Sequence, residues 1–202
     1  IGKVIENILN RLLVRRPDWS FVVLGSKKVL EKKGIHVSDK VQIIECHAKI
    51  YSIREQWELL YKIPSDLDLL WSPHYNVPVL YTGKMLVTIH DLAHLALPGI
   101  HRELLKKIYA KTMFRIAVYK AKKIICISRF TLNELQKYIG VDEKKVELVY
   151  NGVDEKWFDI KQKERLYQSP YFIYVGNIKP HKNLKRLIEA YRLVADKLKH
   201  HL

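Results

Sequence analysis

With 202 residues, 48% of them apolar and 28% charged, the chain has enough apolar surface for a packed core and falls outside the disordered class. Its 36 Lys and Arg against 21 Asp and Glu give a net charge of +15, which implies an anionic partner without choosing among nucleic acid, anionic lipid and sugar diphosphates. No apolar run approaches the length of a membrane span, and no signal-peptide pattern opens the chain. Cys46 and Cys126 lie in or beside apolar segments without metal-ligand spacing, which suits a reducing, cytosolic setting.

Apolar strands alternate with amphipathic helices, the pattern of a parallel α/β sheet. Val4 to Val14 reads as a helix with Val4, Ile5, Ile8, Leu12 and Leu13 on one side, closed by Arg16-Pro17-Asp18. Phe21 to Leu24 is a strand ended by Gly25, Val41 to Ile44 is a second, and Ser52 to Lys62 is a helix stopping at Pro64. Leu67 to Trp71 and Met85 to Ile89 are further strands, separated by the Pro- and aromatic-rich loop Ser72 to Gly83. A long helix is predicted from about His101 to Lys122, its core-facing stripe made of Leu105, Ile108, Tyr109, Thr112, Ile116 and Tyr119. Lys123 to Ile127 is a strand, Phe130 to Ile139 a helix ending at Gly140, and Val146 to Val149 the next strand. The polar segment Asp154 to Ser169 reads as a linker between a first domain, residues 1–153, and the start of a second, residues 170–202.

In that second part, Tyr171 to Val175 has the aromatic and β-branched composition of a buried strand. Leu184, Leu187, Ile188, Tyr191, Ala195 and Leu198 then repeat at helical spacing. The turn between them carries Gly176, Asn177, Lys179, His181 and Lys182. A strand that feeds a helix through a short turn with glycine and lysine is suited to cradle phosphate. The glycine admits the backbone, the helix N-terminus offers N–H groups and the lysine supplies charge. An ordinary βα turn with a solvated lysine has the same spacing. One strand and one helix cannot bury each other's apolar surface, and the first domain opens on a helix where this class of sheet opens on a strand. The expectation is therefore a piece of a longer protein, with its first strand missing and its second domain truncated.

Six segments in order give the sequence a family likeness: Gly2-Lys3, Leu70 to Pro78, Val87-Thr88-Ile89-His90-Asp91-Leu92, Cys126-Ile127-Ser128-Arg129-Phe130 with Leu135, Val149 to Asp154, and the turn Gly176 to Asn183. Together they resemble the group 1 glycosyltransferases, glycosyltransferase family 4, retaining enzymes built from two facing Rossmann-like domains in the GT-B fold. The wording from Asn177 to Asn183 looks most like mannosyltransferase-type members.

The resemblance implies an N-terminal, acceptor-side Rossmann-like domain plus the first βα unit of a nucleotide-sugar-binding domain. The implied reaction moves a sugar, with mannose the leading candidate, from a nucleotide-diphosphate donor such as GDP-mannose to a glycan or lipid-linked acceptor in polysaccharide or lipopolysaccharide synthesis. Lys182 matches the lysine that binds the donor diphosphate, Gly176 the glycine that admits it, and Gly2 the glycine-rich loop near the donor phosphates. Asn177 stands where the family often has a guanidinium. His90 matches the histidine beside the transferred sugar, and its bland alternative is a strand-terminal ring capped by backbone. The family's glutamate pair would fall beyond Leu202, so the 202 residues alone are expected to be inactive. Metal-independent chemistry without a cofactor is implied, and no Asp-x-Asp motif is present.

His90 and His94 imitate the spacing of a zinc-binding helix, but a β-branched strand precedes them and Pro98-Gly99 follows, so no metal site is expected. On the long helix, Lys107, Lys111 and Arg115 stack at i, i+4 and i+8, where like charges repel. An anionic membrane or acceptor would relieve them, and so would plain solvation. The expected location is the cytoplasm, with peripheral contact on the inner face of the membrane. Two alternatives stand beside the enzyme: a basic α/β module binding anions or nucleic acid, and an inactive degenerate fragment. For nucleic acid the chain offers no RNP-like strand, helix-turn-helix spacing or zinc knuckle.

Overall fold

A computed structural model of the chain describes residues 2–96, 104–159 and 169–200. The chain divides into two compact units, Ile1–Asn151 and Gly152–Leu202.

The first unit opens with α1 (Gly2–Arg15), β1 (Phe21–Gly25), α2 (Lys27–Glu31) and β2 (Val41–Glu45). β1 and β2 pair in parallel, Val23 opposite Ile43. Leu9, Ile35 and Val41 are buried at the centre of this part, with Leu13, Phe21, Val23 and Ile43 packed around them. Next come α3 (Ile53–Lys62), β3 (Leu70–Ser72), β4 (Met85–Ile89), α4 (Ala93–Ala96), α5 (Leu104–Lys120), β5 (Lys123–Cys126), α6 (Arg129–Tyr138) and β6 (Val146–Leu148). β3 to β6 form a parallel sheet in sequence order, with Val87 opposite Ile124 and Ile124 opposite Val146. This is the expected α/β architecture, consistent with a Rossmann-like domain.

Local chemistry explains most boundaries. Ser52 and Ser128 cap α3 and α6 by accepting the backbone N–H of Glu55 and Thr131, satisfying donors that the first helical turn leaves unpaired. α6 stops where Gly140, at φ 78°, turns its N–H back to the carbonyls of Leu135 and Gln136. The middle strands are covered on both faces, and so β4 is a nearly continuous apolar run: Met85, Val87 and Ile89 are buried with Thr88. The predicted strand 67–71 is shorter and later, at Leu70–Ser72.

The helix stripe requires a correction. α5 turns Ala110, Met113, Phe114 and Ala117 into the core, whereas Leu105, Ile108 and Tyr119 are 78%, 52% and 84% exposed. Tyr109 and Thr112 are also exposed, and Ile116 only partly covered. α5 has apolar residues on two opposite faces, and packing chose the one whose small alanines allow close approach and whose Phe114 fills the remaining space. Residues 101–103, where the helix was predicted to begin, lie outside the described residues.

In the second unit the predicted strand over 171–175 is corrected as well. Of these, only Tyr171 makes a β-bridge, an isolated one; residues 172–175 are not in a strand, and Ile173 and Val175 are 76% and 86% exposed. An extended segment becomes a strand only when a neighbour takes up its N–H and C=O groups. The helix α7 (Leu184–Arg192) ends before the predicted Leu198, and a 3₁₀ turn follows at Ala195–Lys197. Residues 160–168 of the predicted linker lie outside the described residues.

Candidate active site

In open α/β sheets, ligands bind outside the carboxyl ends of the strands, because successive strands deliver their loops there. In the first unit β4 ends at Ile89, so His90 and Asp91 emerge at that edge beside the loop after β3 and the start of α6. His74, Tyr75, His90, Asp91 and His94 line a hollow of about 340 Å³.

His90 is held from two sides. Its Nε2 lies 3.0 Å from the carbonyl oxygen of Pro73. A carbonyl only accepts, so Nε2 carries the proton and Nδ1 is left as an acceptor in the neutral ring. Burial lowers the pKa of this imidazole below its ordinary value, outweighing the hydrogen bond to Pro73, which favours the charged ring. The carbonyl of His90 accepts the Thr131 hydroxyl at 3.0 Å, which ties the end of β4 to the first turn of α6. One turn back, the Trp71 indole N–H donates to Thr88 at 3.0 Å, locking β3 to β4.

The loop after β3 is folded on itself and clasped by its neighbours. Ser72 donates its hydroxyl to the His74 carbonyl at 2.8 Å, and the Asn76 N–H donates to Nδ1 of His74 at 3.2 Å. Nε2 of His74 therefore carries the proton and meets the Tyr51 hydroxyl at 3.4 Å. Burial first, then the neighbouring His90 and His94, push the His74 pKa down to about 4, so it is neutral at pH 7. Tyr75 stacks on Phe114 with ring centroids 4.0 Å apart, and burial raises its phenol well above the ordinary value.

A polar chain that sequence reasoning missed supports the loop from below. Tyr109 on α5 donates its hydroxyl to the Asn76 side-chain carbonyl at 2.8 Å, and the Asn76 amide donates to the Glu55 carboxylate at 2.8 Å. Glu55 also accepts the Tyr51 N–H at 2.6 Å, where Tyr51 sits at φ 67°, a conformation a tyrosine adopts only when its surroundings enforce it. Burial raises the Glu55 pKa against the lowering effect of these two bonds. The visible signal was Ser52-x-x-Glu55, the spacing of a capping box at a helix start. Its partners, 21 and 33 residues apart in successive links, left no local trace.

His90 and His94 do not share a helical face, since His90 follows a strand and only His94 belongs to α4. Asp91 spends one carboxylate oxygen on the Ala93 N–H at 3.0 Å. Among the described residues, no group of three or more His, Cys, Asp or Glu is placed to hold a metal ion. Gly2 begins α1, with open space where a Cβ would stand.

In the second unit, Gly176, Asn177 and Lys182 belong to one exposed turn. A Cβ on Gly176 would stand 2.8 Å from the Tyr174 hydroxyl, so the missing side chain makes room for that phenol, which donates to the Asn177 carbonyl at 3.2 Å. Pro180–Lys182 is a 3₁₀ turn that ends in Asn183 at φ 54°, and α7 starts at the next residue. Lys182 is thus exposed one residue before the cap of a nine-residue helix. On α5, Lys107, Lys111 and Arg115 are all exposed.

The profile of the family described as Glycosyltransferase Family 4 matches residues 2–157. An O-antigen chain mannosyltransferase of Salmonella typhimurium is 27% identical over 128 residues, covering 63% of this chain and 34% of its own length. An uncharacterized glycosyltransferase of Methanocaldococcus jannaschii is 30% identical over 197 residues, covering 92% of this chain and 51% of its own. The chain thus spans about a third of the length of the first relative and about half of the second. A glycosyltransferase crystal structure from Rickettsia africae aligns with 95% of this chain and 46% of its own, at 17% identity and a TM-score of 0.47.

Proposed function

The chain belongs to Glycosyltransferase Family 4, and from that membership we propose that its protein is a retaining glycosyltransferase moving mannose from GDP-mannose to a glycan or lipid-linked acceptor. The sugar and the acceptor class rest on the Salmonella relative, whose name specifies an O-antigen chain and mannose. One observation carries the reading at the level of chemistry: an oriented, neutral His90 in a hollow at the carboxyl edge of the parallel sheet.

In this reading the bond from sugar C1 to the phosphate oxygen breaks, and a bond from C1 to an acceptor hydroxyl oxygen forms. Negative charge grows on the departing diphosphate. Lys182 and the first N–H groups of α7 answer that charge, at the turn that also carries Gly176 and Asn177. His90 takes a hydroxyl of the transferred sugar or of the acceptor as a hydrogen-bond donor at Nδ1, its other nitrogen being committed to Pro73.

The test is Lys182→Ala in the full-length protein, assayed with GDP-mannose. Loss of one donor to a developing anion costs roughly two to three powers of ten in turnover. A variant with wild-type turnover would remove Lys182 from the chemistry, whereas an unmutated protein that transfers a different sugar, and loses that transfer on Lys182→Ala, would keep the site and replace mannose.

A further inference from the structure

Tyr51 occupies a backbone conformation that strains a tyrosine. Its φ of 67° lies in the left-handed region that glycine or asparagine adopts readily, and the Glu55 carboxylate holds it there by accepting its N–H at 2.6 Å. The Asn76 amide donates to the same carboxylate oxygen at 2.8 Å and fixes it in turn. The ring placed in this way fills no core, since Tyr51 is 47% exposed. It packs instead on two residues that line the hollow, edge-on to His74 at 5.9 Å between ring centroids and stacked on Tyr75 at 6.4 Å. Strained residues that their surroundings over-determine cluster at ligand sites.

The Tyr51 hydroxyl ends a directed chain of hydrogen bonds. The Asn76 N–H occupies Nδ1 of His74, so His74 presents its Nε2–H to the Tyr51 oxygen, 3.4 Å away. Burial first, and then Tyr51 through charge and hydrogen bonding, raise the Tyr75 phenol, so Tyr75 keeps its proton and offers it to the same oxygen. With two hydrogens directed at that oxygen, the Tyr51 proton points away from both, and the bonds behind it strengthen it as a donor. The other side of the hollow has the opposite character, because Nδ1 of His90 and the side-chain oxygens of Asp91 accept. A ligand suited to this rim donates at one point, accepts at another close by, and turns an apolar face to an aromatic ring. Neighbouring hydroxyls on a pyranose, with C–H groups across one face, supply that combination. A phosphate presents no such face.

We propose that Tyr51 is a specificity-determining residue of this hollow, its hydroxyl donating to a sugar hydroxyl while its ring supports the C–H face of the same sugar. The inference rests on the glycosyltransferase reading of the site and is independent of Lys182. The sugar belongs to the donor or to the acceptor, and kinetics separate the two.

The experiment uses the full-length protein, with hydrolysis of GDP-mannose by water as the donor-side readout and octyl α-mannoside as the acceptor probe. Tyr51→Phe keeps the ring and removes the donor. If the acceptor sugar is held, the variant should raise the KM of octyl α-mannoside about tenfold and leave GDP-mannose hydrolysis unchanged. If the transferred sugar is held, it should raise the KM of GDP-mannose about tenfold in both reactions. Wild type should discriminate against one monodeoxy analogue of the sugar concerned, and Tyr51→Phe should not. Tyr51→Asn, which accepts the left-handed backbone without a ring, should weaken the same KM further. Tyr61→Phe, at the far end of α3, should change neither KM. An active wild type whose Tyr51→Phe variant keeps both KM values and full discrimination overturns the proposal alone. So does a Tyr51→Asn variant with a lower urea midpoint and both KM values unchanged, since Tyr51 would then be structural. A wild type that neither hydrolyses GDP-mannose nor transfers mannose overturns the reading of the site, and the proposal with it.

Discussion

The Nε2 of His90 lies 3.0 Å from the carbonyl oxygen of Pro73, so the ring at the end of β4 is aimed by the loop that leaves β3. This contact settles which ring nitrogen holds the proton, and it does so through a backbone group that no side-chain substitution removes. His90→Ala is expected to lower both donor hydrolysis and sugar transfer by about 100-fold, the usual size of a positioned acid–base or hydrogen-bonding contribution. The melting temperature should change little, because the ring is only partly buried. Parallel rate and stability measurements decide the matter: normal transfer by a folded variant would reduce His90 to a structural role.

Asn76 joins Glu55 to Tyr109, and through them α3 to α5, under the loop that carries His74 and Tyr75. Replacing it by alanine strands the Tyr109 hydroxyl and leaves the Glu55 carboxylate with its backbone partner at Tyr51. Asn76→Ala should therefore cost about 1–3 kcal/mol and Tyr109→Phe about 1 kcal/mol. Urea unfolding of both single variants and the double variant measures the coupling. The double variant should lose less than the sum, and strict additivity would show that the three residues do not act as a unit.

His74 sets a pH dependence whose sign follows from burial. Its pKa is about 4 in the folded protein against an ordinary value of 6.5. Above pH 6.5 the ring is neutral in both states and costs nothing. Between pH 6.5 and 4 the unfolded chain takes a proton that the folded protein refuses, so stability falls as pH falls, by on the order of 3 kcal/mol in full. Glu58, held down to about 2 by Lys62 and by the N–H groups of His47 and Ala48, adds a loss at lower pH, below its ordinary value of 4.5. Urea midpoints for wild type and His74→Gln at pH 7.0, 6.0 and 5.0 separate the two. The variant should show a smaller decline between pH 6.5 and 5, because His90, also lowered by burial, keeps its own contribution, and an identical profile would place the His74 ring in contact with water.

What could be read from the residue string is what depends on near neighbours along the chain. Buried β4 shows as an uninterrupted apolar run, α3 and α6 announce themselves through Ser52 and Ser128, and α6 ends where Gly140 must. The motif series from Gly2 to Asp154 belongs with these, and it falls within residues 2–157, which the family profile matches. Choices between alternatives of equal local merit were left to packing. α5 has two apolar faces, and periodicity alone pointed to Leu105, Ile108 and Tyr119. The sheet accepted Ala110, Phe114 and Ala117, because volume complementarity across a closely packed contact outweighs hydrophobicity counted residue by residue. Tyr171 to Val175 has every local mark of a strand, yet a ladder requires a second strand, a condition outside those five residues. The bonds from His90 to Pro73 and from Glu55 through Asn76 to Tyr109 belong to the same class: each joins residues far apart in sequence, and only the folded chain brings them within reach.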